Sequence, residues 1–388
     1  MKRAQPWLQS ITGRAPLRSC EGCYDSFEAA TAPVDGCTRA CLASGGRELG
    51  THKKKFIIGP ILAVIIASSV SSFWWGNYSQ SSPIARVSVV DDIGKTVVLE
   101  GPQKRIVSMA PGVTEMLFAL GLGDRVVGDT YGCDYPPEAM NIEKISARRN
   151  ATMGSGPGPA PSDQPFGPFY IDKIVQLRPD LVIMDRSYDT WQLDWYSKVK
   201  NGGLNVLVLW PKNLEDVLRD ITLVGEVTSS QENATRLVSS LRQRVNVVEE
   251  KVGNLSDTDR PRVFATVYYD GKSFWTFGPG YHKPEEFVDE IIKMAGGINI
   301  VGNQEGLFEV DVNTVIRDDP QIILVLDDPR YSVPAYETIM NDKKLSVTEA
   351  LQNNAVYYLD ERPWVRAGPR LVDSIELVAR LLYPEHFN

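Results

Sequence analysis

Between Leu214 and Val252 the chain runs through one Gly and no Pro, with apolar residues at helical spacing: Leu218, Ile221, Leu223, Val224, then Leu237, Leu241, Val245, Val248 and Val252. Such periodicity specifies helix, and Thr228-Ser229-Ser230 reads as a cap that divides a shorter helix from a long second one. On both sides short β-branched runs alternate with amphipathic stretches, the pattern of α/β architecture. The strands predicted before this region are Val87–Val90 and Thr96–Leu99, flanking a hairpin turn, then Arg105–Met109, Val126–Asp129, Leu181–Met184 and Asn205–Leu209. Those after it are Arg262–Tyr269, Ile322–Leu326 and Ala355–Leu359. Helices are predicted over Pro111–Leu120, Ile171–Leu177, Leu193–Val199, Glu285–Met294, Asp311–Arg317 and Leu371–Leu382. The expected division is therefore an α/β lobe over 86–227, a connecting helix over 228–254 and a second α/β lobe over 261–388.

A second constraint lies upstream. Lys53, Lys54 and Lys55 precede an uncharged, mostly apolar run from Phe56 to Trp75. About 20 such residues suffice for a helix to cross a bilayer, and the lysines place its start on the cytoplasmic side. A cleaved signal segment shares this layout. Residues 1–55 carry 9 Lys/Arg and 5 Asp/Glu, whereas the other 333 carry 32 and 44. The expectation is a basic cytoplasmic tail (1–55), a transmembrane anchor or signal segment (56–75), a Ser-rich linker (76–85) and an acidic extracytoplasmic body. The net charge of −8 argues against nucleic acid as a partner. In the tail Cys20, Cys23, Cys37 and Cys41 have spacing that suits a zinc ion. Little apolar sequence surrounds them, however, so a poorly ordered tail, or a translation start near Leu49, is the favoured expectation. No resident cofactor is expected in the body, and Cys133 stands alone there.

Catalytic patterns are missing: there is no G-x-S-x-G elbow, HExxH, P-loop or dinucleotide fingerprint, and only three histidines. The body reads as a non-enzyme. What stands out is aromatic residues at or after predicted strand ends, where open α/β sheets bind ligands. Tyr131, Trp191, Tyr269, Trp275 and Trp364 are the candidate ligand contacts, with Arg366 and Arg186 for polar groups. Trp195 and Tyr135 are expected in the core. Flat rings with few polar handles suit a large macrocycle or chelate. The Gly/Pro-rich stretch 148–168 cannot be regular structure.

Arg105–Gly121 (RIVSMAPGVTEMLFALG), Val126-Val127-Gly128, Cys133–Pro137 (CDYPP), Ile174–Val182 (IVQLRPDLV), Gly296-Gly297, Asp319–Leu324 and Arg366–Arg370 (RAGPR) resemble the periplasmic-binding-protein family serving cobalamin, ferric-siderophore and haem importers, its class III solute-binding proteins. The resemblance covers about 86–388. It implies two Rossmann-like lobes joined by a single long rigid α-helix, with ligand in the cleft and an ABC permease and its ATPase as partners. It also implies roles: Trp275, Trp364 and Arg366 at the ligand, and Asp172 docking to the permease. The second docking position falls on Asn313, a departure from the family's glutamate, with Asp311 beside it as a substitute. The 148–168 insert replaces a segment carrying a cleft aromatic, which leaves Phe166 or Phe169 to stand in. The function expected is capture of a corrinoid or iron complex, the aromatic content leaning to a corrinoid. A chelatase-like tetrapyrrole enzyme and a ligand-sensing ectodomain are the alternatives.

Overall fold

A computed structural model of the chain describes residues 86–147, 168–186, 194–279, 287–327 and 335–387. The cysteine-containing tail, the apolar segment, the linker, Trp191, Phe166 and all but the end of the Gly/Pro stretch lie outside these. Among the described residues no helix is long and apolar enough to cross a membrane.

The chain enters through an antiparallel hairpin, β1 (Arg86–Val90) and β2 (Thr96–Glu100). Its turn is fixed by Asp91, whose carboxylate accepts from Ile93 N and Lys95 N, with Gly94 at positive φ. A four-stranded parallel sheet follows, built from β3 (Ile106–Ser108), β4 (Val126–Gly128), β5 (Leu181–Asp185) and β6 (Val206–Leu209) in the order β4-β3-β5-β6. The sequences LVIMD and VLVL are apolar at nearly every position because both faces of this sheet are covered. Its crossovers carry α1 (Pro111–Ala119), α2 (Ile171–Gln176) and α3 (Trp195–Asn201). Pro111 opens α1 at a position needing no N–H, and Gly121 follows its end at φ +74°.

From β6 the chain passes through α4 (Leu214–Val227) and α5 (Gln231–Val252). Asn213 caps α4 by accepting from Asp216 N at 2.8 Å. The helices pack closely: a methyl on Gly225 would overlap the Ala234 Cβ.

A six-stranded mixed sheet completes the fold. It comprises β7 (Arg262–Tyr269), β8 (Ser273–Phe277), β9 (Ile298–Asn299), β10 (Leu307–Asp311), β11 (Ile322–Asp327) and β12 (Val356–Asp360) in the order β10-β8-β7-β11-β12, with β9 beside β7. β9, β7, β11 and β12 are mutually parallel, whereas β8 and β10 add antiparallel. The sequence pattern missed these two strands. Ser273–Phe277 is aromatic on both faces and Leu307–Asp311 is half-exposed, so neither alternates cleanly. The helices of this half are α6 (Phe287–Met294), α7 (Val312–Asp318), α8 (Ala335–Asn341), α9 (Glu349–Gln352), α10 (Arg362–Val365) and α11 (Leu371–Leu382).

The strands sort their side chains by parity, as a sheet covered on both faces requires. Leu181 and Ile183 join one inner core with Ile322, Leu324 and Leu326, together with α1, α4, α5, α6 and α11. Val182 and Met184 face a second cluster containing Trp195; Ile323 and Val325 face a third containing Phe264 and Phe274. Both sheets thus share a single inner core.

Candidate functional site

Parallel strands end together, and their carboxyl ends are where the connecting loops converge. The turn after β4 is held from beneath. Lys144 Nζ donates to Asp129 at 2.7 Å and to the carbonyls of Cys133 and Ala139. Burial pushes the Asp129 carboxyl up to about 7 against the pull of Lys144. Burial, with Asp129 adding to it, raises the Cys133 thiol to about 12, so Cys133 stays a protonated packing residue that accepts from Thr114 Oγ1. On this platform Tyr131 and Tyr135 stand out, 43% and 44% exposed.

Between them Asp134 meets the segment that follows β12. Arg366 donates to Asp134 Oδ1 at 2.6 Å, to Glu115 Oε1 at 3.3 Å and to the Gly132 carbonyl at 3.2 Å. Arg362 bridges Asp134 Oδ2 at 2.9 Å and Asp360 at 2.8 Å; Arg370 grips Glu115 Oε2 at 2.9 Å and lies 4.0 Å over the Tyr135 ring. Burial opposes the Arg366 charge, but Glu115 and Asp134 outweigh it and hold the guanidinium above its usual range. At the same seam the Gly112 backbone lies against the Ala367 carbonyl so closely that any Cβ there would clash with it. Glycine is required where two backbones touch.

The expected contact residues divide. Tyr131 is exposed beside this cluster, its N–H donating to Ser146 Oγ. Trp275 is half-buried on β8, opposite Tyr268 and Glu309. Three expectations are corrected. Tyr269 is core, 2% exposed, stacked on Phe274 at 4.0 Å with its hydroxyl bonded to Asp342. Trp364 is 1% exposed in the inner core. Arg366 is 5% exposed, and the Asp134, Glu115 and Gly132 contacts engage it within the protein. Phe169 is likewise buried, edge-on to the Trp195 ring at 5.0 Å, so it is packing and not a substitute cleft aromatic. Trp195 is core as expected, whereas Tyr135 is not.

Of the expected docking residues, Asp172 is exposed in the first turn of α2. Asp311 and Asn313 form one capping unit on α7: Asp311 Oδ1 accepts from both the Asn313 N–H, at 2.7 Å, and its amide, at 2.8 Å. The sequence reading did not single out Trp210, although it directly follows a predicted strand. Two cations approach its ring, Arg186 Cζ at 4.7 Å and Lys212 Nζ at 4.6 Å from the centroid. Glu115, Asp134, Arg362 and Arg370 were also not singled out.

Comparison of the sequence with known families gives a match: the profile described as periplasmic binding protein covers residues 106–363. The chain belongs to the periplasmic binding protein family. This periplasmic binding protein is 25% identical over 310 residues to an ABC transporter substrate-binding lipoprotein of Bacillus subtilis, YvrC, covering 80% of this chain and 89% of the relative. It is 24% identical over 287 residues to the vitamin B12-binding protein of Vibrio cholerae, covering 72% and 90%. Its fold is similar to the apo form of the periplasmic haem-binding protein RhuT from Roseiflexus sp. RS-1, with a TM-score of 0.58, 22% identity and coverage of 73% and 99%. The matched span ends at residue 363, so the partners Arg366 and Arg370 of the seam lie beyond it.

Proposed function

We propose that this chain is the extracytoplasmic solute-binding component of an ABC importer, taking up a corrinoid or an iron chelate such as haem. The observation that carries the reading is the family match over 106–363, with relatives described as an ABC transporter substrate-binding lipoprotein and a vitamin B12-binding protein. In this reading each sheet with its helices is one lobe, and α5 is the stiff connection between them. The ligand sits where the two sets of strand ends converge, with Tyr131 and Trp275 among its contacts. Asp172 and the Asp311–Asn313 unit are the exposed polar positions that meet the permease, whose ATPase drives transport. The apolar segment Phe56–Trp75 tethers the body to the membrane outside the cytoplasm. Asn313 in place of an acid removes a full charge from the second docking position, and Asp311, although occupied as a cap, retains one.

The experiment is titration of the purified full-length chain with cyanocobalamin, haemin and ferric hydroxamate or catecholate chelates, by tryptophan quenching and calorimetry. Saturable one-to-one binding of one of them is expected, weakened about tenfold by Trp275→Ala, as loss of a buried aromatic contact implies. A folded chain that binds none of these overturns the proposal.

A further inference from the structure

Asp185 and Leu209 are paired in register at the ends of the adjacent parallel strands β5 and β6, so the residues that follow them, Arg186 and Trp210, emerge side by side. Lys212 lies two residues on. Both cations approach the one indole, at 4.7 and 4.6 Å from its centroid. A single cation over an indole is attracted by the ring quadrupole. Gathering a second like charge at the same ring costs energy unless an anion joins them.

Among the described residues neither the Arg186 guanidinium nor the Lys212 ammonium has a carboxylate within ion-pair distance. Two nearby carboxylates are engaged elsewhere. Asp92 accepts from Trp210 N at 2.6 Å and from Arg219 at 3.0 Å. Asp216 accepts from Lys212 N at 3.0 Å and also from Arg219. Arg219 thus draws off the negative charge of this corner, although the chain as a whole has a net charge of −8. The contrast with the seam is sharp: Arg362, Arg366 and Arg370 each hold a carboxylate.

We infer that Arg186, Trp210 and Lys212 form a subsite for an anionic substituent, a carboxylate or phosphate group, on the bound chelate; this rests on the solute-binding reading above. A guanidinium over an indole still has N–H donors to offer, and its fork fits two oxygens of one anion. Lys212 supplies a second charge. The Trp210 backbone N–H donates to Asp92 Oδ2, which fixes the chain at the point from which the indole projects.

The test uses the full-length chain with haemin, its dimethyl ester and cyanocobalamin, which carry respectively carboxylates, no free carboxylate, and one phosphodiester. The variants are Arg186→Ala/Lys212→Ala and, separately, Trp210→Phe, with circular dichroism confirming that each is folded. Haemin binding at least about tenfold tighter than its ester, with the gap lost in the double variant, is the result expected for a carboxylate ligand. For a phosphate-bearing ligand the expected result is cyanocobalamin binding that weakens about tenfold in the double variant and loses much of its salt dependence. A double variant that binds its probe as tightly as the unaltered chain overturns the subsite while leaving the solute-binding reading intact. If no probe binds the folded, unaltered chain, both fall.

Discussion

Arg366 and Asp220 are both ionisable groups cut off from water, and the chain treats them in opposite ways. Arg366 keeps its charge because two carboxylates, Glu115 and Asp134, are brought to it. Asp220 is fully buried, and burial first, then the neighbouring Asp92, raise its carboxyl to about 9 despite Arg219. One of its oxygens has no hydrogen-bond partner among the described residues, which suits a neutral acid better than a carboxylate. Its folded-state pKa lies above the ordinary 3.8, so the folded state binds the proton more tightly. The resulting stability is complete below about pH 4 and is lost as pH rises through about 9. Melting temperature should therefore fall between pH 5 and pH 9, and Asp220→Asn should flatten that slope; a thermal-denaturation series in pH measures both. Legibility at this scale was uneven for a physical reason. Strand ends announce themselves in sequence, and Tyr131, three residues after β4, is exposed there, whereas Trp275 lies within β8. Whether a loop ring turns inward depends on what the rest of the chain brings against it. Trp364 and Tyr269 turn inward, and no local pattern marks that. The role of Arg366 depends on Glu115, 251 residues earlier.

At the scale of elements the hydrophobic runs were dependable. The parallel strands β5, β6 and β11 are buried on both faces, and their sequences are almost wholly apolar for that reason. The split of the long helical region at Thr228–Ser230 was also legible, since the C-terminal residue of α4 and the start of α5 leave only three residues between them. β8 and β10 escaped because strands added antiparallel, β10 at the half-exposed edge of the sheet, need not be uniformly apolar or cleanly alternating. Gly225 offers a test of how α4 meets α5. In an exposed helix Gly→Ala stabilises by about 1 kcal/mol. Here the added methyl would overlap Ala234, so Gly225→Ala should destabilise the protein by about 1–3 kcal/mol in urea denaturation. A gain in stability would mean that the helices can separate freely.

On the scale of the whole molecule the two sheets are neither independent nor joined only through their connecting helices. They share an inner core, and across the seam Glu115 binds both Arg366 and Arg370. Glu115→Ala leaves those guanidinium groups short of a carboxylate and should cost roughly 3–5 kcal/mol in chemical denaturation, the usual penalty for breaking a buried ion pair from one side. The same variant should widen the distribution of distances between spin labels placed on the two sheets' outer helices; an unchanged distribution would show that the inner core alone sets their spacing. α11 has a further consequence. Eight of its residues, from Leu371 to Leu382, are buried, and the core they enter also contains Val89 and Val97 from the first hairpin. The earliest strands and one of the latest helices therefore contribute to the same core. Until residue 382 has left the ribosome, that core lacks the apolar side of α11, and the fold cannot be complete. A chain in that condition is one that can still be drawn through a narrow pore before it folds on the far side.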